Sequence, residues 1–451
     1  MTTEQVEEKV RETLRSVALD RVRAPGDLAE TVVRRRSRRR FSQAAGAAVA
    51  VAAITVGAVL GLGGGGAAEQ DRPARPAASP KGWQPWQSSV PGAGERGCLV
   101  DGSALYCSGS KYDAAKFDAN TGERLWTVKV NREGDGPDHA FAARDGVVYA
   151  YRNHTADKEP NGDYIGGTDL MALDADTGEV LWTVEMPQDD RTDQAAMLID
   201  GAVLANTPSL RTMSALDPLT GKEKWRHTWD KGIVCQRAVP SGVPYLLCDQ
   251  DTEKPDDTAV IRLDPATGSA EKVATMPGRQ QLIGTAGDRM VLISAKSAGD
   301  KDLRLTTLSG SGEQTSHSYR IEGEPAYSDI VGDLLISVSW QGKASAYSLT
   351  TGKTLWTGPV GVEMPDKGAT TGLAAPVVSA GQGVVYFVGP TGDLSGLDLR
   401  TGEQIWRGRA DIGDQKPGPA FGDTPQLLLY EDVLVARNGS RIVSLLPRIG
   451  D

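Results

Sequence analysis

The chain has 451 residues, of which 39% are hydrophobic and 24% are charged, and it contains 53 glycines and 25 prolines. Many glycines between short apolar runs are typical of an all-β protein. The formal net charge of −10 is divided unevenly, because residues 1–40 carry +4 and the rest of the chain carries −14. An acidic main body is repelled by nucleic acid and by anionic lipid, so its charge argues against both as its binding partners.

The N-terminal region indicates a short cytoplasmic segment followed by one transmembrane helix. Within residues 1–40, Val6, Val10 and Leu14 fall on one helical face. Residues 41–62 carry no charge and are long enough for a helix to cross a bilayer. Six arginines lie just before this segment, so the positive-inside rule predicts a cytoplasmic N-terminus and an extracytoplasmic main body.

The arginine-rich stretch also permits a second interpretation. The sequence from Ser37 to Phe41 resembles the twin-arginine export motif, and cleavage could then follow Ala68. The patterned leader of forty residues favours a retained anchor, because an organised cytoplasmic segment has little use on a peptide that is removed. Residues 63–80 are rich in Gly, Pro and Ala and indicate a linker that holds the remaining domain, residues 81–451, away from the membrane.

The four cysteines fall into two close pairs, Cys98 with Cys107 and Cys235 with Cys248. Each pair brackets a turn between two predicted strands. Export to an oxidising compartment favours two disulfides. Zinc is the alternative, although zinc sites usually have closer cysteines or nearby histidines.

One sequence phrase returns along residues 81–451: an apolar run, Asp or Ser, then Thr-Gly, and often a Trp eight residues after the Asp or Ser. The clearest copy runs from Leu173 to Trp182. The copies recur at a mean step of about 47 residues, which is typical of a propeller or a solenoid. One copy has Lys272 in place of the Trp, and the copy from Leu308 to Gly312 is degenerate.

Each recurring part of the phrase has an expected structural role. The Asp carboxylate can accept backbone N–H bonds in a turn, and the Gly can adopt a positive φ. The Trp can dock between neighbouring blades while its N–H finds an acceptor. The predicted turn residues are Asp118, Gly122, Asp174, Gly178, Asp217, Gly221, Asp264, Gly268, Gly352, Asp398 and Gly402. The predicted docking residues are Trp126, Trp182, Trp225, Trp356 and Trp406.

An eighth unit begins near the C-terminus but ends before any Thr-Gly or Trp. Its early strands are predicted at Leu427–Tyr430, Asp432–Ala436 and Ile442–Leu446. The missing strand is available at the other end of the domain, in Trp83–Val90. A last blade completed by the first strand would close the ring and leave no open sheet edge. We therefore predict eight blades, with seven as the alternative if the degenerate fifth unit is an insertion.

The repeated Asp-x-x-Thr-Gly-x-x-x-Trp phrase resembles the repeat of the PQQ-like (quinoprotein alcohol dehydrogenase-like) β-propellers. The resemblance covers about 370 residues, and it implies a propeller with tryptophan-docked blades. Members of this family include quinone-dependent enzymes and also non-catalytic propellers, so the fold alone does not define a function.

The sequence favours the non-catalytic type. The dehydrogenases of the family have an adjacent cysteine pair beside the quinone, and this chain has no Cys-Cys. His139, His154, His227 and His317 are scattered without metal-ligand spacing, and we expect them at exposed or turn positions. No cofactor is therefore expected, and PQQ with calcium belongs only to the alternative of a quinoprotein dehydrogenase.

These features predict a membrane-tethered, extracytoplasmic eight-bladed propeller that binds a protein, peptide or glycan and catalyses nothing. A transmembrane sensor that signals through residues 1–40 is a further alternative.

Overall fold

The computed structural model describes residues 74–89, 97–109, 112–129, 140–158, 164–187, 196–252, 255–295, 302–320, 325–364, 373–413 and 425–449. These residues form eight sheets of four antiparallel strands each, and the first strands of successive sheets lie next to one another. The chain is therefore an all-β, eight-bladed propeller, and the alternative of seven blades is wrong. The predicted cytoplasmic segment (1–40) and transmembrane helix (41–62) lie outside the described residues.

Blades 1 to 4 each contain four consecutive strands, from the channel outward. Their bounds are: blade 1, β2 Cys98–Asp101, β3 Ala104–Gly109, β4 Tyr112–Asp118, β5 Arg124–Lys129; blade 2, β6 Ala140–Arg144, β7 Val147–Lys158, β8 Tyr164–Asp174, β9 Val180–Met186; blade 3, β10 Ala196–Ile199, β11 Ala202–Ala205, β12 Thr212–Leu216, β13 Glu223–Thr228; blade 4, β14 Ile233–Ala238, β15 Tyr245–Gln250, β16 Asp257–Leu263, β17 Ala270–Pro277.

Blades 5 to 7 follow the same order, and blade 8 takes its outer strand from the start of the domain. Their bounds are: blade 5, β18 Gln281–Ala286, β19 Arg289–Ala295, β20 Asp302–Ser309, β21 Gln314–Arg320; blade 6, β22 Pro325–Val331, β23 Leu334–Ser339, β24 Lys343–Ser348, β25 Thr354–Pro359; blade 7, β26 Val377–Ser379, β27 Val384–Val388, β28 Asp393–Asp398, β29 Gln404–Arg409; blade 8, β30 Gln426–Tyr430, β31 Val433–Asn438, β32 Arg441–Leu445, β1 Trp86–Ser89. A 3₁₀ turn at Pro240–Gly242 joins β14 to β15.

The predicted closure of the ring is present in blade 8. Strand β1 pairs antiparallel with β32, with Trp86 opposite Ser444 and Ser89 opposite Arg441. The indole N–H of Trp83 also donates to the hydroxyl of Ser444 at 2.7 Å. The two ends of the domain therefore share one sheet, which gives the last blade its fourth strand.

The hydrophobic core lies between the blades, because both faces of each sheet pack on a neighbour. The second strands are the most apolar: Val384 to Val388 of β27 are all buried, and so are Ala202 to Ala205 of β11. The outer strands instead alternate, as in β9, where Trp182 and Met186 are buried between exposed residues. The sequence thus assigns the inner strands to the core and the outer strands to the rim.

Both predicted disulfides are present, and each joins the first and second strands of one blade. Cys98–Cys107 lies in blade 1 and Cys235–Cys248 in blade 4, at directly paired strand positions. The zinc alternative is therefore wrong, since no thiolate remains to bind a metal.

Candidate functional site

The seams between blades show what the repeated phrase does. In blade 1, Trp126 covers Gly178 of blade 2 and donates its indole N–H to the carbonyl of Ala175 at 3.1 Å. Gly178 has a φ of +75°, and a Cβ there would lie 2.7 Å from the indole ring, so both the backbone and the close approach require glycine. The same arrangement occurs at four further seams: Trp86 on Gly122, Trp182 on Gly221, Trp225 on Gly268 and Trp356 on Gly402.

The turn beneath each docked Trp is held by its aspartate. Asp174 Oδ1 accepts the backbone N–H groups of Asp176 and Thr177, and also the hydroxyl of Thr177 at 2.9 Å. These bonds favour the ionised carboxylate and lower the pKa of Asp174. Asp118, Asp217, Asp264 and Asp398 accept backbone N–H groups in the same way. These aspartates of the repeated phrase therefore have structural roles in their own turns.

A β-bulge lies beside the docked Trp in blades 1, 2, 3 and 6, whereas β1, which carries Trp86, pairs without one. In blade 2 the register shifts between Ala172 and Leu173, so that Leu181 is unpaired and Trp182 faces the next blade. The unpaired residue points outward, which explains why Leu181 is exposed, as are Leu125 and Leu355 at the equivalent positions. The exposure of these leucines is therefore a consequence of the bulge.

The two seams around blade 5 have no Trp. At the seam with blade 4 the register shift lies two pairs further along the strand, and the carbonyl oxygen of Val273 approaches Gly312 instead. At the seam with blade 6, the ring of His317 lies against Gly352, and its Nε2 atom is buried without a hydrogen-bond partner. The expectation that His317 is an exposed or turn residue is wrong, because it occupies the docking position of a degenerate repeat.

Trp406 also differs from its prediction. It is placed like the other repeat tryptophans, but the blade that follows has no Thr-Gly turn, since β32 ends at Leu445. The Trp406 ring stands edge-on to Tyr386 of its own blade, with ring centres 5.8 Å apart. It packs against the cluster that includes Ile449 at the C-terminal end.

A glutamine side chain ties blade 8 to blade 1 at the channel. The Gln426 amide donates to the carbonyl of Cys98 at 2.9 Å and accepts the N–H of Cys98 at 2.8 Å. Gln236 of blade 4 makes an equivalent pair of bonds with the backbone of blade 5, at Gln280 and Leu282. Each side chain satisfies backbone groups of a neighbouring inner strand.

Blade 6 contains a buried carboxylic acid that the repeat pattern does not account for. Asp329 on β22 is 5% exposed; its Oδ1 accepts the N–H of Ile330, whereas Oδ2 has no partner. Burial disfavours the ionised form and raises the pKa of Asp329 to about 7. Such a group titrates near neutral pH.

The two faces of the propeller differ in their connections. The turn face carries the links from first to second strands and from third to fourth strands, and these links are at most six residues long. They contain thirteen Asp or Glu and three Lys or Arg. Three of these carboxylates, Asp217, Asp264 and Asp333, accept backbone N–H groups of the turns, and the turn face as a whole is acidic.

The loop face carries the remaining connections, and their lengths divide it into two arcs. The links that enter blades 7, 8, 1, 2 and 3 are 360–376, 410–425, 90–97, 130–139 and 187–195, with 17, 16, 8, 10 and 9 residues. The links that enter blades 4, 5 and 6 have only four, three and four residues. The long connections of the loop face are therefore all on the side formed by blades 7, 8, 1, 2 and 3.

Two exposed apolar side chains lie at tips of the loop face. Trp340, in the link between β23 and β24, is 47% exposed, and Leu210, between β11 and β12, is 41% exposed. Trp340 is next to the point where Met364 packs on Gly342 at the start of the longest link. Exposed tryptophans of this kind are common anchors in protein interfaces.

Among the described residues, no three His, Cys, Asp or Glu side chains converge as a metal site would require. A shallow depression beside the blade 4 turn is lined by Arg262, Asp264 and Glu271, but Arg262 and Glu271 pair with each other at 2.5 Å. Asp264 in turn caps the Thr-Gly turn. The charged groups of this depression thus serve the local fold.

The comparisons with known proteins agree with this architecture. The propeller with Trp-docked Thr-Gly turns defines the PQQ-like class. The family model described as outer membrane protein assembly factor BamB matches residues 110–316 and 304–451, so the chain belongs to this family of PQQ-like propellers. A search of the curated proteins gives no match.

Two solved structures illustrate the similarity. The computationally designed Ika8 protein is 14% identical, with a TM-score of 0.51 over 81% of this chain and 98% of that chain, which shows a common fold. BamB from Moraxella catarrhalis is 16% identical, with a TM-score of 0.47 over 80% of this chain and 99% of that chain.

Proposed function

We propose that this chain is a membrane-tethered, extracytoplasmic propeller that binds a partner through its loop face and catalyses nothing. The observation that carries the proposal is the contrast between the two faces. The turn face uses its polar side chains to hold its own short turns, whereas the loop face adds chain length on one arc and exposes Trp340 and Leu210. Loops on a rigid scaffold are the usual place for binding residues.

The kind of partner follows from charge and from the family. The described parts of the loop face carry both acidic residues, such as Asp411 and Glu363, and basic residues, such as Arg441 and Arg279. A surface of mixed sign with apolar tips suits a protein better than a polyanion. The matched family is described as an assembly factor, which also favours a protein partner over a glycan.

The membrane tether is part of the proposal and is supported by the sequence. Residues 41–62 are apolar and follow six arginines, and they lie outside the described part of the chain. Within the described ranges no helix has both the length and the apolar character needed to cross a bilayer. Retention of the full chain in membranes after an alkaline carbonate wash tests the tether, and its release would contradict it.

Site-specific photo-crosslinking in the native cell tests the binding face. A photoreactive amino acid replaces Trp340 or Leu210 on the loop face, and Leu219 serves as the matched control, because it is an exposed apolar tip on the turn face. We expect the two loop-face positions to give one common protein adduct and Leu219 to give none. Adducts from Leu219 alone would overturn the assignment of the binding face.

A further inference from the structure

The last part of the predicted linker lies on the propeller. Residues 74–80 cross the turn face at blades 7 and 8, where the Arg75 N–H donates to the carbonyl of Gln382 at 3.0 Å and its guanidinium donates to the carbonyl of Gly381. Ala74 packs against the apolar cluster shared by these blades, and Pro80 is buried. We call residues 74–80 the strap.

Asp432 holds the strap at a second point. Its Oδ2 accepts the N–H of Ala78 at 2.8 Å and lies 3.5 Å from Nη1 of Arg75. The Asp432 side chain is only 11% exposed, whereas Arg75 is 52% exposed. Because Arg75 is exposed, its ion pair with Asp432 contributes little stability by itself. The sheltered Asp432 carboxylate would also lose a charge-assisted hydrogen bond if the Ala78 N–H moved away. Docking of the strap thus supplies a hydrogen-bond donor to the Asp432 carboxylate.

We propose that the strap fixes the orientation of the propeller, with the turn face toward the membrane and the loop face toward its partner. The inference rests on the proposed membrane tether. With the strap docked, the chain leaves the propeller from the turn face at residue 74, and residues 63–73 are all that separates it from the predicted transmembrane segment. Eleven residues span at most about 38 Å when fully extended.

Release of the strap would remove this restraint. The tether would then include residues 63–80, and eighteen residues reach about 60 Å, enough for the propeller to turn over. Surface attraction does not supply the same orientation, because the thirteen carboxylates of the turn face are repelled by anionic headgroups within a Debye length of about 8–10 Å. The strap is therefore the element that sets which face is presented.

Energy transfer to the bilayer measures the orientation. The full chain is reconstituted in vesicles of phosphatidylethanolamine and phosphatidylglycerol that carry an acceptor dye on a headgroup. A donor dye is attached to one introduced cysteine, either Asp200→Cys on the turn face or Gln341→Cys on the loop face; the four natural cysteines are paired. The two positions differ in height by about 20 Å, roughly one six-residue strand, so transfer from position 200 should be several-fold higher.

The variant Asp432→Ala should abolish this difference. Asp411→Ala is the control, because it removes a different Arg–Asp ion pair, with Arg441 at 3.3 Å, on the loop face and away from the strap. The control should keep the difference. Equal transfer from the two positions in the parent protein, or an unchanged difference in Asp432→Ala, would overturn the proposal.

A second measurement separates the strap from the tether. Hydrogen exchange at the amides of Arg75 and Ala78 should be slow in the parent chain and fast in Asp432→Ala, with the exchange of β27 unchanged as evidence of folding. Fast exchange at both amides in the parent would overturn the docked strap even if the membrane tether holds. Loss of the chain from the vesicles after an alkaline wash would overturn the tether, and with it the orientation, even if both amides are protected.

Discussion

The indole N–H of Trp86 donates a hydrogen bond to the carbonyl of Ala119 at 2.8 Å. Trp86 lies on the strand that completes blade 8, and Ala119 lies in the first Thr-Gly turn of blade 1. The first strand of the domain therefore supplies both the edge of the last blade and the docked Trp of the closing seam. Tyr430 adds a bond from blade 8 to Asn120 at 3.1 Å.

Removal of residues 81–90 should therefore prevent folding to a soluble monomer. A chain of residues 91–451 lacks β1 and Trp86, so β32 becomes an exposed edge and the seam with blade 1 loses its docked indole. We expect aggregation in size-exclusion chromatography, whereas a chain of residues 81–451, which lacks the strap but retains β1 and Trp86, should elute as a monomer. A soluble 91–451 chain with a single cooperative melting transition is the opposite result.

Gly178→Ala should destabilise the propeller more than Gly146→Ala. Both glycines lie in blade 2 with nearly equal φ, +75° and +77°, so the backbone cost of alanine is about 1–2 kcal/mol at each. Only at Gly178 does a Cβ meet the Trp126 ring, and forcing the indole aside costs about 1–3 kcal/mol more. Urea unfolding of both variants measures the difference, and equal midpoints would show that the seam tolerates the extra methyl.

The repeat phrase predicted the propeller well because its residues each have one local role. The residue types at Asp174, Gly178 and Trp182 are required by the geometry of one turn and of a bulge a few residues away. Requirements of such short range can be recognised in a single sequence. The predictions were wrong where the repeat is degenerate or incomplete. His317 occupies the docking position of a Trp, and Trp406 has no Thr-Gly turn to cover in the next blade.

Contacts between distant parts of the chain were not predictable in the same way. The bonds of Gln426 with Cys98 and of Asp432 with Ala78 join residues more than three hundred positions apart. Neither residue stands out in composition or spacing, because its role depends on where ring closure brings it. Trp86 is the exception, since the missing Trp strand of the eighth unit pointed to the segment that contains it.

Asp329→Asn should stabilise the protein at alkaline pH. A carboxyl whose pKa rises from 3.8 to about 7 on folding favours the native state while it is protonated. This contribution is fully present below about pH 4, declines as pH rises, and is lost above about pH 7, a span on the order of 4 kcal/mol. The variant should thus unfold at higher urea concentration than the parent at pH 8 and at a similar concentration near pH 4.

Asp264→Asn is the control of opposite sign for this pH dependence. The bonds from Thr267 lower the pKa of Asp264, so its ionised form stabilises the turn above about pH 4, and that contribution is lost as pH falls further. Because Asp264 is exposed, the variant Asp264→Asn should be only slightly less stable than the parent protein at pH 8. A parent protein whose stability rises steadily between pH 4 and pH 8, unaffected by Asp329→Asn, would contradict the buried acid.

The two disulfides should differ in their rate of reduction. Cys98 and Cys107 are fully buried, whereas Cys235 is partly exposed and Cys248 is 6% exposed. Thiolate attack requires access to a sulfur atom, so Cys235–Cys248 should be reduced first in the native protein. Timed alkylation and mass spectrometry follow both pairs, and earlier labelling of Cys98 and Cys107 would contradict this order.

The loss of either disulfide should leave a soluble fold. The pairs close short segments, with sequence separations of 9 and 13, so the chain-entropy model gives each about 2–3 kcal/mol. The two effects should add, because the pairs lie in blades 1 and 4. Thermal unfolding of the single and double Cys→Ser variants checks both statements, and non-additive losses would show that the two blades are coupled.

The proposed function requires that this propeller binds a partner and does not turn over a substrate with PQQ. The most direct measurement is dye reduction by the purified domain, residues 74–451, with added PQQ and calcium and a panel of alcohols and aldose sugars. We expect the rate of the protein-free blank with every substrate and no saturable binding of PQQ. Turnover that depends on both the protein and PQQ would contradict it.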